Sequence, residues 1–310
     1  MGVGADVVLG VDVGGTSVKA ALVDAAGAFI GAVEQIPVDA SGDAESILSA
    51  ICDGLLRVAA GTPDGLRGLA AVGIGTPGPF DYERGISLIT GVAKYESLYG
   101  LDVGAAIRAR MKLRAGVPVR FLNDACAFAL GEGVFGAARG FDRVMAITLG
   151  TGCGSAFVTG HGCNVIEGGV YRQRFRESIV DNYISRRGIL DLAASLGVLP
   201  SASADVVDLA AAAHAGNAPC LRLFREWGTM LAEALKPSLV SFRPDCVVIG
   251  GAIARSLDLF RAPLDHIAAA LTVQGVASLK VVPAADVHSA VRGAAEWARR
   301  GGRQAPTSGK

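Results

Sequence analysis

The sequence predicts an α/β protein built as two similar halves. Two observations carry that reading. An apolar run, a glycine turn and a second apolar run occupy Val7–Val23, and the pattern returns at Arg143–Val158. Elsewhere, short apolar runs alternate with amphipathic stretches of helical period, the pattern of an α/β fold. The spacing between the two hairpins is far too long for a solenoid repeat.

Along the first half, residues 7–23 read as a hairpin. A helix follows, with Ile47, Leu48, Ile51, Leu55 and Val58 on one face and Ser41 or Asp43 as its N-cap. Residues 68–75 form a short apolar strand ended by Thr76–Pro77–Gly78–Pro79, and residues 117–122 form another, ending at Asn123–Asp124. An alanine-rich helix runs from Ala125 through Gly131. In the second half, the stretch around Ile179, Ile184 and Leu190 is mostly helical, and helices are expected over 204–215 and 220–235. Residues 244–252 read as a strand and glycine turn, and 287–300 as a final amphipathic helix. The expected domains are 1–125 with about 288–300, and 126–287, with a ligand-binding cleft between them. Residues 301–310 are expected to be a disordered tail.

Composition narrows the partners. The chain has 310 residues, 51% of them hydrophobic, and a formal net charge of zero. That is enough chain for two domains with buried cores, and it argues against a broad basic surface for nucleic acid. No apolar run approaches a membrane span, and the N-terminus lacks the regions of a signal peptide. The six cysteines, at 52, 126, 153, 163, 220 and 246, form no CxxC pair, so neither a disulfide framework nor a zinc knuckle is expected. The expectation is a reduced, cytoplasmic protein.

Four strand ends carry the chemistry. In Gly10–Lys19, Gly14 and Gly15 let backbone N–H groups approach an anion, Thr16 and Ser17 add hydroxyls, and Asp12 is placed to hold magnesium through water. An ordinary hairpin turn is the alternative. Gly150–Thr151–Gly152–Cys153–Gly154 offers N–H groups and the Thr151 hydroxyl to phosphate, or is only a hairpin. Gly250–Gly251 lets a flat ring or ribose lie on the backbone, or is a strand-to-helix turn. Asp124, at a strand end beside Asn123, is placed to deprotonate an alcohol, or is a helix N-cap.

Taken in order, these segments resemble the ROK family, the bacterial sugar kinases and repressors of the actin-like ATPase superfamily. Gly10–Lys19 is similar to its first phosphate motif, Gly73–Asp81 to its G-x-x-x-P-G segment and Leu122–Ala125 to its catalytic L-N-D-A. Gly150–Gly154 is similar to its second phosphate motif and Pro244–Gly251 to its adenosine motif. The resemblance implies two actin-like (ribonuclease H-like) domains and an ATP-dependent sugar kinase acting on a hexose or hexose derivative, glucose among them. It implies Asp124 as general base and Asn123, Glu167, Asp181 and Gly78 around the sugar. Asp12, Gly14, Gly15, Thr16, Lys19, Gly150, Thr151, Gly152, Gly154, Gly250 and Gly251 would serve ATP and Mg2+. Homodimers are common among relatives.

The chain departs from the family at the acceptor side. Glu167–Gly168–Gly169–Val170 fits E-x-G-H except that Val170 replaces the histidine, and the cysteine cluster C-x-C-G-x-x-G-C is absent. No structural zinc is therefore expected. Asp181 stands where relatives place a sugar-binding glutamate, and Lys94–Tyr95–Glu96 where they carry L-P-G-W. Arg172, Arg174 and Arg176 alternate as on one face of an extended segment, either a solvated edge or a site for an anionic group. Other readings are a sensor that has lost catalysis and a polyphosphate-dependent kinase. A repressor is disfavoured, because the phosphate hairpin begins almost at Met1 and leaves no room for a helix-turn-helix.

Overall fold

The computed structural model describes residues 7–15, 17–61, 65–91, 93–199, 201, 203–273 and 279–302. The chain forms two compact units, Met1–Gly136 with Cys163–Val165 and His288–Lys310, and Ala137–Gly162 with Ile166–Val287.

The first unit opens with β1 (Val7–Val13) and β2 (Ser17–Val23), an antiparallel hairpin in which Asp12 faces Lys19. Strand β3 (Phe29–Pro37) continues it. Helix α1 (Ala44–Ala59) starts at Asp43, whose Oδ1 accepts the Ser46 N–H at 2.8 Å. Ser41, the other expected cap, donates to Asp39 instead. Strand β4 (Leu69–Thr76) runs parallel to β1. A ribbon of β5 (Phe80–Asp81) and β6 (Ile86–Ser87) follows, then α2 (Val103–Arg110), capped by Asp102. Strand β7 (Val119–Asn123) lies parallel to β4 and feeds α3 (Asp124–Phe135). The sheet order is β3-β2-β1-β4-β7. The period-2 pleat of β1 decides its packing. Leu9, Val11 and Val13 join the core with Ile47, Leu48, Ile51 and Leu55 of α1, while Val8 faces the other way.

The second unit repeats the plan. Strands β8 (Val144–Leu149) and β9 (Cys153–Thr159) form an antiparallel hairpin, followed by β10 (Asn164–Glu167). A small ribbon, β11 (Arg174–Phe175) and β12 (Ser178–Ile179), leads into α4 (Val180–Tyr183), α5 (Arg186–Ser195) and α6 (Val206–His214). Helix α7 (Ala218–Phe242) precedes β13 (Cys246–Gly250), α8 (Leu257–Val273) and β14 (Lys280–Pro283). The sheet order, β10-β9-β8-β13-β14, matches the first sheet position by position, with β13 parallel to both β8 and β14. Its core centres on Trp227, packed edge-on to Phe260 at 4.9 Å with its Nε1 donating to Tyr183 O.

Three expectations need correction. Helix α7 does not stop near Leu235. Pro237 removes one helical hydrogen bond, but buried Leu239 and the stacking of Phe242 on Phe157 carry the helix on to Phe242. The first unit runs through Gly136 and includes α3, rather than ending at Ala125. The reason is α9 (Ser289–Arg299), which returns to the first unit and packs on α3 as well as on β1 and β4. Val291, Ala295 and Ala298 meet Val8, Ala21 and Ala71 on the sheet face opposite α1. The approach is so close that a β-carbon on Gly73 would collide with the Ala294 carbonyl. Finally, Gly301 and Gly302 are not tail. Both have positive φ, and their N–H groups donate to Ala298 O and Trp297 O, closing α9. Residues 303–310 lie outside the described residues.

Candidate active site

Because β1, β4 and β7 are parallel, their C-terminal ends lie side by side. Asp12 pairs with Gly75, and Thr76 with Asn123. Three of the expected site segments, Asp12–Gly15, Thr76–Gly78 and Asn123–Asp124, therefore share one sheet edge, where α/β sheets bind ligands.

At the first turn, the Gly14 N–H donates to Ser17 O at 3.0 Å. Thr16 lies outside the described residues. Desolvation raises the Asp12 carboxyl pKa above its ordinary value, while Lys19, its partner across the hairpin, and His288 pull it back. Tyr95 Oη donates to Gly14 O at 2.6 Å. Its phenol is pushed up to about 12, by burial first and by the Asp12 charge second. Lys94, beside it, lies over Gly15.

Asn123, not Asp124, caps α3. Its Oδ1 accepts the N–H groups of Ala125 and Cys126 at 2.9 and 3.2 Å. Its Nδ2 donates to Tyr82 Oη, which donates in turn to Thr76 O, each at 3.3 Å. The amide is thus fixed in rotamer and in flip. Asp124 is the first helical residue, and its Oδ1 accepts the Ala125 N–H at 2.8 Å. Gly78 leaves room for Tyr82: a β-carbon there would sit 3.1 Å from its hydroxyl. No sequence pattern singled out Tyr82, a tyrosine in a polar loop.

In the second unit, the turn between β8 and β9 is held by Gly150 N–H to Gly152 O at 3.0 Å and Arg186 N–H to Gly150 O at 2.8 Å. Thr151 is exposed at its tip. Gly154 is in the ladder, opposite Thr148. Asp181 reaches this turn. Its Oδ1 accepts the Cys153 N–H at 2.8 Å, and Arg187 approaches its Oδ2 at 3.8 Å. Gly250 ends β13 opposite Thr148. Gly251 has φ 91°, and a β-carbon there would strike the Leu149 carbonyl. The fold itself therefore requires glycine at 251, and it brings both glycine turns of this unit to one end of its sheet.

Glu167 is exposed at the end of β10. The residues after it are fastened to β9, with Gly168 N–H donating to Ser155 O at 2.8 Å and Val170 N–H to Ser155 Oγ at 3.0 Å. Val170 is fully buried in the second unit's core. The three arginines do not share one face of an extended strand, as their alternation suggested. Arg172 ends a 3-10 turn, Arg174 begins β11, and Arg176 has φ 52° in the turn before β12. Arg176 pairs with Glu233 at 3.2 Å and lies over Phe175 and Tyr183. Among the described residues, no group of three or more His, Cys, Asp or Glu side chains is arranged to hold a metal. No described helix is long and apolar enough to cross a membrane.

Comparison with known proteins places this geometry in context. Residues 8–170 and 176–301 match the ROK family. The chain is 29% identical over 283 residues to a glucokinase of Thermotoga maritima, covering 83% of this chain and 85% of the relative. The fold is similar to that of a ROK hexokinase from Thermus thermophilus, with a TM-score of 0.74 at 21% identity, over 95% of this chain and 98% of the other. It is also similar to a ROK family glucokinase from Streptomyces griseus in complex with glucose and AMPPNP, with a TM-score of 0.72 at 24% identity, over 95% and 99% of the two chains.

Proposed function

The chain belongs to the ROK family and is a sugar kinase of it, and from that premise we propose that it transfers the γ-phosphoryl group of ATP to a hydroxyl of a hexose, glucose foremost. The observation that carries the reading is the Asn123–Asp124 pair at the end of β7. Asn123 takes the helix cap and is locked by Tyr82, so Asp124 is presented at a sheet edge it shares with Asp12 and the Gly14–Gly15 turn.

The sugar oxygen attacks the γ-phosphorus and forms the new P–O bond, while its proton passes to Asp124. The bond from the γ-phosphorus to the β–γ bridging oxygen breaks, and its electron pair leaves on ADP. In the first unit Asn123 orients the sugar beside Gly78; in the second, Glu167 and Asp181 are the sugar-contact carboxylates. The turns at Gly14–Gly15 and Gly150–Gly154 bind phosphate through those backbone N–H groups not donating within the protein, and Gly250–Gly251 accepts the adenosine.

The residues fit a magnesium ion. Asp12 is a single carboxylate whose desolvation is only partly offset by Lys19 and His288. Mg2+ is commonly held by one or two carboxylates with phosphates and water. Bound there, it would neutralise charge on the triphosphate.

Replacing Asp124 by Asn tests the base assignment. Turnover should fall about 100-fold or more, while sugar binding measured by calorimetry stays within about twofold. Full activity in the variant would refute it.

A further inference from the structure

Lys94 occupies a position that the phosphoryl-transfer reading above leaves unused. A β-carbon on Gly15 would collide with Lys94 Nζ and lie 3.3 Å from both Lys94 Cδ and Cε. The aliphatic stem therefore lies along the tip of the first phosphate turn, with the ammonium over the Gly15 backbone. Neither Gly14 nor Gly15 has a positive φ, so local backbone geometry does not demand glycine at 15.

The segment bearing Lys94 is clamped rather than loose. Its neighbour Tyr95 is 2% exposed. The Tyr95 hydroxyl donates to Gly14 O and its N–H to Ala40 O, both at 2.6 Å. Ala93 N–H donates to Glu96 Oε1 at 2.8 Å. Ala93 and Tyr95 flank Lys94 with φ of 55° and 58°. Two non-glycine residues in the left-handed region persist only where the surroundings impose them. Here they bend the chain so that the lysine faces the turn. Among the described residues no carboxylate forms an ion pair with Lys94.

We propose that the Lys94 ammonium is a phosphate ligand, binding the terminal phosphates of the nucleotide donor above Gly15 and stabilising the charge that grows on them as the γ-phosphoryl group leaves. A cation fixed where charge develops is how phosphoryl transfer is accelerated. Lys94 forms no bond with the transferring group and exchanges no proton. The proposal rests on the kinase reading for the identity of the donor.

The test compares wild type, Lys94→Met, which keeps an unbranched apolar stem, and Lys94→Arg, which keeps the charge. Calorimetry with magnesium measures ATP and AMP binding without any sugar, and ADP release measures turnover. Lys94→Met should bind ATP about tenfold or more weakly, the effect of losing a charge-assisted contact. AMP, which lacks the terminal phosphates, should bind within about twofold of wild type. Turnover should fall in Met and recover largely in Arg. Unchanged ATP binding in Lys94→Met, or an equal loss for ATP and AMP, overturns the proposal. Because the binding arm needs no acceptor, failure of the kinase reading is seen separately, as a wild type that phosphorylates no sugar.

Discussion

Asp181 Oδ1 accepts the backbone N–H of Cys153 at 2.8 Å. A side chain expected to serve only the sugar is thereby tied to the turn between β8 and β9. A longer glutamate in its place would have to fold back to make that bond, so the Asp at 181 couples α4 to the turn directly. Asp181→Ala should therefore raise KM for ATP as well as KM for sugar, each by about three- to tenfold for one lost hydrogen-bonding carboxylate. Steady-state kinetics with either substrate varied will check this. A shift in the sugar KM alone would mean the turn does not depend on Asp181.

The chain of contacts Thr76–Tyr82–Asn123 makes a second prediction. Tyr82→Phe removes one hydroxyl that accepts from Asn123 and donates to Thr76. It should weaken sugar binding by about 1 kcal/mol, with little change in ATP binding. Calorimetry with sugar and with AMPPNP separates the two.

Glycines that look alike in sequence should behave oppositely. Gly73→Ala drives a methyl group into the Ala294 carbonyl and should destabilise the first unit by about 1–3 kcal/mol or more, read as a lower urea midpoint. A β-carbon on Gly150 meets open space, and φ there is not positive. Gly150→Ala should leave stability within about 0.5 kcal/mol while reducing turnover, because the methyl group occupies the approach to the turn's N–H groups.

Asp205 caps α6 and accepts from Arg186 Nε at 2.8 Å. Those hydrogen bonds, Arg186 first, hold its carboxyl below the ordinary value of 3.8. A lowered carboxyl pKa contributes stability that is fully present above the unfolded value and is lost as pH falls through the folded one. Asp205→Ala should cost about 1 kcal/mol at neutral pH, and the gap to wild type should close as pH drops below 3.8. Melting curves across that range will show it.

What the sequence made legible was local. Glycine-rich turns after apolar runs marked the sites at 14–15, 150–154 and 250–251, although among these glycines only Gly251 has a positive φ. Asn123–Asp124 stood out because two polar groups end an apolar strand. The repeated hairpin revealed the repeated sheet plan. What stayed hidden depends on residues far apart in the chain. The return of α9 to α3 fixes the end of the first unit at Gly136, and no periodicity near Ala125 records it. Tyr82 and the lie of Lys94 over Gly15 depend on how the loop after β4 folds. The alternation of Arg172, Arg174 and Arg176 misled because a turn interrupts what reads as a strand.

The most direct measurement is sugar phosphate formation, followed by 31P NMR with ATP and magnesium against a panel of hexoses, with Asp124→Asn alongside. Transfer of the γ-phosphoryl group to at least one hexose by wild type, and its near loss in the variant, is the predicted result. A protein that binds both ATP and a hexose yet forms no sugar phosphate with any acceptor would contradict it.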